Sequence, residues 1–321
     1  MSTPSQPPAT AQTAANSPLV TIIKILMAAV VIFFIAITVS PKARLSVVWA
    51  AGRSGGCSYA DTVNSHQLLL DLDKYANEFG AASHIVQQDP VGLELVETPR
   101  GNYWTIKNDK FLRFTLAEQE LEIYGSDKRG VQPGDVVLDC GANVGTFTRT
   151  ALSRGAKLVV AIEPAPATVE CLRRNFVHEI AEGRVIVCPK GVWDHVDVLE
   201  LAVASDGNNT GNSFVFGRNL SAKVKVPLTT IDILVDELHL PRVDFIKMDI
   251  EGAEKQALRG GAQTIKKFQP RLALSAEHFR EDPVEIPKVV SAISAAYEMK
   301  ASSCHDDFLR VPPEVLLFAA R

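Results

Sequence analysis

Five short stretches combine residue types and spacings that could do chemistry. The first is Val136-Val137-Leu138-Asp139-Cys140-Gly141-Ala142-Asn143-Val144-Gly145-Thr146-Phe147. It reads as a buried strand that ends in an acid and a glycine-rich turn, with a helical pattern from about Thr146. A strand feeding such a turn is a nucleotide-cofactor signature of α/β sheets. The spacing here is Asp-x-Gly-x-x-x-Gly, not the Gly-x-Gly-x-x-Gly of dinucleotide sites. Phosphates favour bare backbone N–H groups at a helix N-terminus, and a carboxylate there would repel them. An acid at this turn suits a cofactor with a cationic or hydrogen-bond-donating head. S-adenosylmethionine (SAM), with its ammonium and sulfonium, fits, and Asp139, Gly141, Asn143 and Gly145 are the expected contacts. The bland alternative is an ordinary βα turn in a core.

The second stretch, Val159-Val160-Ala161-Ile162-Glu163-Pro164, places an acid at the end of the next strand. An acid roughly 20 residues beyond the first turn can grip both ribose hydroxyls, so Glu163 is the expected ribose ligand. A helix N-cap or first-turn acid is the alternative. The third is Lys190-Gly191-Val192-Trp193-Asp194. Trp193 is expected on the adenine face and Asp194 on its exocyclic amine; a core Trp and a turn Asp are the alternative. The fourth, Asp244-Phe245-Ile246-Lys247-Met248-Asp249-Ile250-Glu251-Gly252-Ala253-Glu254, sets acids at a strand's carboxyl end. Helix-dipole placement explains Glu254 well and Asp249 poorly. Lys247, embedded in an apolar strand, needs a carboxylate partner because an unpaired buried charge is costly. The fifth, Ser275-Ala276-Glu277-His278-Phe279, offers His278 as a general base by location and intrinsic pKa. Asp249, Glu251 and His278 are the expected catalytic residues.

These stretches need a scaffold that brings strand ends together. From residue 135 the pattern alternates strands and helices, the mark of a doubly wound, mostly parallel α/β sheet. Strands are expected at 136–138, 158–162, 185–188, 245–248 and 271–276, with helices at 147–154, 166–176, 231–238 and 254–268. Residues 199–204, 213–216 and 224–226 read as an antiparallel excursion, and 296–301 and 314–320 as a closing hairpin at the sheet edge. Upstream, 66–79 and 116–124 read as helices, and 93–96 and 103–106 as short strands around a turn. The expected organisation is a disordered N-terminus (1–18), a transmembrane helix (19–39), a juxtamembrane linker (40–57), an accessory segment (58–130) and the cofactor domain (131–321).

The 19–39 run carries one charge, Lys24. At 1.5 Å per residue it spans roughly 30 Å, one bilayer core. A signal peptide is the rival; no basic residue precedes the run, and the run is long for an h-region. Lys42, Arg44 and Arg53 follow it, so the positive-inside rule predicts a single-pass protein with its catalytic domain in the cytoplasm. Among 321 residues, 46% are apolar and 22% charged, and the formal net charge is -4, which gives no electrostatic case for nucleic-acid binding. The cysteines, Cys57, Cys140, Cys171, Cys188 and Cys304, are widely spaced. They are expected to be mostly buried thiols in a reducing compartment. The sequons at Asn208 and Asn219 carry no weight by themselves.

With these residues in view, the run from about Asp135 to His278 resembles the FkbM family of SAM-dependent methyltransferases. The matching pieces are Asp139 to Gly145, Glu163-Pro164, Thr229-Thr230-Ile231-Asp232, Lys247-Met-Asp-Ile-Glu-Gly-Ala-Glu254, Leu258-Arg259-Gly260-Gly261 and Glu277-His278. The Lys-x-Asp-x-Glu-Gly-x-Glu block makes the resemblance specific. It implies a Rossmann-like class I methyltransferase fold and methyl transfer to a hydroxyl on a glycan, lipid or secondary metabolite. The expected mechanism is direct displacement, with His278 or an acid taking the hydroxyl proton. The clustered acids could instead hold a divalent cation. Rival readings are a nicotinamide dehydrogenase, which lacks its glycine fingerprint here, and a membrane-tethered SAM-binding protein without turnover.

Overall fold

The computed structural model describes residues 18–203 and 222–320. The N-terminal tract before them, both sequons and the strand expected at 213–216 lie outside the described residues.

Two helices open the chain, α1 (Pro18–Val39) and α2 (Pro41–Ala50), followed by the long α3 (Tyr59–Ala82). An antiparallel sheet of β1 (His84–Gln88), β2 (Leu93–Thr98) and β3 (Gly101–Ile106) precedes α4 (Leu112–Glu120). Alternation then begins with β4 (Val136–Cys140), α5 (Thr146–Ser153), β5 (Leu158–Ile162), α6 (Pro166–Asn175), α7 (Val177–Ala181) and β6 (Val185–Cys188). A small excursion follows: β7 (Gly191–Val192), β8 (Val198–Val203) and β9 (Ala222–Thr229). The chain returns through α8 (Ile231–Glu237), β10 (Phe245–Met248), α9 (Glu254–Gly260), α10 (Ala262–Phe268), β11 (Arg271–Ser275) and α11 (Asp282–Ile293). It closes with the hairpin β12 (Tyr297–Cys304) and β13 (Pro313–Ala320).

The seven-stranded main sheet has the order β12-β13-β11-β10-β4-β5-β6. β6, β5, β4, β10 and β11 run parallel, while β13 is antiparallel to β11 and to β12. Both faces are covered, as a parallel sheet requires. Val136, Leu138, Ile246 and Leu272 pack into a core on one face, and Val137, Val159, Phe245 and Ala273 into a core on the other. The segment upstream shares its core with the sheet's helices: Tyr103, Leu116 and Phe79 pack with Val144 and Cys171.

Several expectations change. The 40–57 stretch, expected as a juxtamembrane linker, contains helix α2 and packs on the closing hairpin. α2 is capped by Ser40, whose hydroxyl accepts from the Ala43 N–H at 3.3 Å. Arg44 makes a salt bridge to Asp306 at 2.5 Å, and the Val311 N–H donates to Arg53 O at 2.9 Å. Cys57 and Cys304 are not two thiols but a disulfide spanning 247 residues of sequence. Cys140, Cys171 and Cys188 are free and buried, as expected. The helix expected at 116–124 starts earlier and ends at Glu120, because Glu122 takes a left-handed φ of 53°. The helix expected at 254–268 is broken at Gly261. There α9 presses so close to the β7 exit that a Cβ on Gly260 would lie 2.0 Å from Trp193 O.

α1 is 22 residues long and none of its residues is buried. It is long and apolar enough to cross a membrane by length and composition.

Candidate active site

After β4 the sheet grows toward β5 and β6; the chain then crosses back and adds β10 and β11 on the other side of β4. The carboxyl ends of β4 and β10 thus flank a topological switch point, where open α/β sheets form their crevice. A cavity of about 620 Å³ lies there. Its floor is the Gly141 to Asn143 turn, with Ile162, Glu163, Thr168 and Val192 along one flank and Asp249, Glu251 and His278 along the other.

Close packing explains the glycines. Gly141 has φ 76°, and a Cβ there would stand 1.9 Å from Asp249 O. Gly145 has φ 94°, and its Cβ would meet the Phe176 ring at 2.2 Å. The Gly141 and Ala142 N–H groups both donate to Ile162 O at 3.0 Å, and the Asp249 N–H donates to Cys140 O at 3.1 Å. The turn is thereby stitched to the strand ends on both sides. Asn143 completes it with a left-handed φ of 48°.

Asp139 sits beneath this turn, fully buried, and does not line the cavity. Its Oδ2 accepts from Thr148 Oγ1 at 2.6 Å, and its Oδ1 lies 3.5 Å from Lys247 Nζ with no hydrogen bond of its own. Lys247 is the embedded cation, and Asp139 is its carboxylate partner. Lys247 Nζ also donates to Gly141 O at 2.8 Å. Burial works against the Lys247 charge, but Asp139 and Asp249 outweigh it and hold its pKa above the usual value. Asp139 therefore supports the turn from below, where the sequence reading put it in contact with the cofactor.

Glu163 does line the cavity. One oxygen accepts from the Asn143 N–H at 3.1 Å and the other from the Ala165 N–H at 2.9 Å. Burial pushes its carboxyl up to about 7 despite these bonds. Trp193 and Asp194 stand outside the cavity wall, which correspondingly takes Lys190, Gly191 and Val192 from this stretch. The Trp193 N–H donates to Thr229 O at 2.9 Å, and Asp194 pairs with the His195 ring at 2.5 Å. Sequence adjacency could not show that the chain turns away after Val192.

The acids of the fourth stretch surround His278. Its Nε2 lies 3.5 Å from Asp249 Oδ1 and 3.9 Å from Glu251 Oε2, and its Nδ1 lies 3.2 Å from Glu254 Oε1. Burial disfavours the imidazolium, but Glu254, with Asp249 and Glu251, outweighs it and raises His278 to about 10. The histidine is therefore a cation at neutral pH, not the free base that its intrinsic pKa suggests. Burial also acts on Asp249, yet Lys247, His278 and a 2.8 Å hydrogen bond from the Tyr124 hydroxyl hold it below the ordinary carboxylate value. Asp249, Glu254 and His278 each bring one ligand-type atom within 4.8 Å of the others. A cation entering there would have to displace the imidazolium proton.

The cavity has a third wall whose residues the sequence did not single out. Phe111, Phe114, Glu118 and Tyr124 come from the segment upstream of the sheet, and Glu314 from β13. Glu277, quoted only as the neighbour of His278, also lines it. No motif marks Glu118 or Tyr124, because folding alone brings α4 and the turn after it over the strand ends. Burial, then Asp249 and Glu277, push Glu118 well above the usual carboxyl range. Desolvation, then Glu314 and Asp249, push Glu277 up to about 7.

The residues present fit SAM. The Gly141 turn is a cradle that a Cβ would fill, Glu163 offers carboxylate oxygens to ribose hydroxyls, and Ile162 and Val192 supply apolar walls for a base.

The strand order with its reversed seventh strand, and the crevice at the switch point, define a Rossmann-like methyltransferase fold. The sequence pattern of the methyltransferase FkbM domain matches residues 139–299, and the chain belongs to that family. It is similar to "Methyltransferase 1" of Beauveria bassiana (strain ARSEF 2860), 27% identical over 146 residues, covering 39% of this chain and 57% of that protein. It is also similar to the hexuronic acid methyltransferase AglP of Haloferax volcanii, 24% identical over 180 residues, covering 54% of this chain and 69% of that protein. Among solved structures, a methyltransferase FkbM from Methylobacillus flagellatus KT aligns at 18% identity and a TM-score of 0.45, covering 81% of this chain and 60% of that one. The chain thus spans little more than half the length of two of these three relatives.

Proposed function

We propose that this chain is a SAM-dependent O-methyltransferase that methylates a hydroxyl of a small-molecule, lipid or glycan acceptor. The observation that carries the reading is one cavity shared by the Gly141–Asn143 turn and the Asp249, Glu251 and His278 cluster. Bound on the turn, SAM would supply an electrophilic methyl on a sulfonium. A relative whose name gives it a hexuronic acid as substrate supports an acceptor with sugar-like hydroxyls.

The protein's own part is alignment, water exclusion and proton transfer. Lys247 holds the Gly141 carbonyl and with it the shape of the donor cradle. The His278 imidazolium fixes the Asp249 and Glu251 carboxylates in place through its Nε2 side, and Glu254 holds the ring from the other side. The acceptor hydroxyl donates to Asp249 or Glu251. That carboxylate would take the hydroxyl proton as the hydroxyl oxygen accepts the methyl that bound SAM would supply, its sulfur left as a neutral thioether. This assigns proton acceptance to an acid, the second of the two options open in the sequence.

α1 would tether the domain to a membrane and bring it near a membrane-borne acceptor. Two arguments bear on the side. Lys42, Arg44 and Arg53 and a cytosolic methyl donor favour the cytoplasmic face; a Cys57–Cys304 disulfide favours an oxidising one. Labelling with a membrane-impermeant maleimide, before and after reduction, distinguishes them.

Calorimetry with SAM, followed by transfer of labelled methyl to membrane extracts, tests the reading. Saturable binding with a labelled product is expected. Binding without product in any extract would favour a tethered SAM-binding protein, and no binding would refute both.

A further inference from the structure

The cavity is chemically lopsided. Its donor half takes Glu163 as its one acid beside backbone, Thr168, Lys190 and apolar side chains, whereas the other half is ringed by Glu118, Asp249, Glu251, Glu277 and Glu314. Several of these acids are already answered. Asp249 and Glu251 face the His278 imidazolium, and Glu314 faces the His305 ring at 3.0 Å and accepts from Ser303. Of the lysines on the wall, Lys247 is held by Asp139 and by the Gly141 carbonyl, and Lys190 by Glu237 at 2.9 Å. Glu118 and Glu277 differ: among the described residues neither side chain makes a hydrogen bond or a salt bridge, and both line the cavity. They come from α4 and from the exit of β11, and Asp249 acts electrostatically on both.

We propose that Glu118 and Glu277 select the acceptor, and that the acceptor carries a protonated amine beside the hydroxyl to be methylated, as an amino sugar does. This rests on the methyl-transfer reading of the cavity and narrows its substrate class. An ammonium entering beside Glu118 and Glu277 favours their ionised forms, gains charge-assisted hydrogen bonds and relieves like-charge crowding. A carboxylate-bearing acceptor, such as a uronate, would add a further negative charge to a wall that holds five acids, so it is selected against. A neutral sugar would leave both carboxyl groups without an ionic partner. Phe111 and Phe114, on the same wall as Glu118, give the apolar face of a sugar ring a surface to lie on.

The test uses the full chain in detergent micelles, saturated with SAM, and three probes of one shape: glucosamine, glucose and glucuronate. SAM binding is measured first by calorimetry; its failure there would count against the methyl-transfer reading and not against the acceptor assignment. With SAM bound, competition or saturation-transfer NMR should show glucosamine binding at least about tenfold tighter than glucose, with glucuronate weakest. Glu118→Gln and Glu277→Gln keep shape and remove charge. Each should erase most of the glucosamine preference while SAM affinity stays within about threefold, and an unchanged melting temperature shows the fold intact. Equal binding of all three probes, binding of none, preference for glucuronate, or a glucosamine preference that survives both substitutions would each overturn the assignment.

Discussion

Glu254 Oε1 lies 3.2 Å from His278 Nδ1, and that ion pair converts the best-placed histidine into a fixed cation. Glu254 can do this because it is almost fully buried and is itself held by the Ile250 N–H at 2.9 Å. The arrangement makes His278 a positioning residue for the acids around it.

The first prediction concerns His278. Its imidazole should stay protonated from pH 6 to beyond 9, since its pKa is raised to about 10, and NMR of the ring protons would show this. The rate should therefore show no rise with a midpoint near 6.5. Glu254→Gln should bring that midpoint back down toward neutrality. His278→Ala should leave SAM affinity within about threefold and lower turnover roughly 10²-fold, the order expected when reacting groups lose alignment. A neutral ring at pH 7 would contradict the assignment.

Glu163 gives the second. Its carboxyl titrates near 7 in the free protein, and ribose hydroxyls donate best to the ionised form. SAM affinity should thus weaken as pH falls below 7, by up to about tenfold per unit. The sign for folding is opposite. Because the folded pKa is raised above 4.5, the free protein loses stability as pH rises from 4.5 through about 7, and Glu163→Gln should flatten that part of the melting curve. Glu163→Ala should weaken SAM at least about tenfold by calorimetry; normal binding would remove Glu163 from the ribose.

The third concerns the buried pair. Lys247→Met leaves Asp139 as an uncompensated buried charge and frees the Gly141 carbonyl. Loss of one partner of such a pair costs about 3–5 kcal/mol, readable in urea unfolding. Asp139→Ala should both destabilise and weaken SAM binding, acting through the turn above it.

Gly141 supplies the fourth. Gly141→Ala would drive a Cβ to 1.9 Å from the Asp249 carbonyl at a φ of 76°. Separation of β4 from β10 is the only relief, so a loss above about 3 kcal/mol is expected, with SAM binding lost in any variant that still folds. Gly134→Ala is the control, because a Cβ there meets nothing within 4 Å, although its φ of 87° still carries some strain.

The fifth is the Cys57–Cys304 link, which closes a loop of 247 residues. Chain-entropy reasoning makes such a loop worth up to about 5 kcal/mol. Under non-reducing conditions only Cys140, Cys171 and Cys188 should alkylate after unfolding, and reduction should add two labels and lower the melting temperature. Alkylation of all five without reduction would contradict the link.

The local patterns proved legible wherever side-chain period and backbone need are written into neighbouring residues. The parallel strands read correctly because strands buried on both faces are continuous apolar runs, as Val136 to Leu138 and Phe245 to Met248 are. The glycine turn and Glu163 could be found because a strand end, a positive φ and a cofactor approach demand particular residue types within a few positions. α1 was legible from its unbroken apolar length. The third wall of the cavity was not. Glu118 and Tyr124 reach Asp249 only because α4 and the turn after it pack over the strand ends, and nothing in their own neighbourhood marks them. The same holds for the Cys57–Cys304 pair and for Trp193, whose place depends on where the chain goes after β7. Most of all, the charge of His278 was decided by tertiary structure. A side chain's intrinsic pKa is a property of its type, but the field that shifts it is the sum of burial and of carboxylates that another loop, Asp249 to Glu254, delivers. Sequence by itself determined the sheet, the glycine turn and the apolar helix α1. Only the packed structure decided which carboxylates surround the acceptor and which group there is left to take a proton.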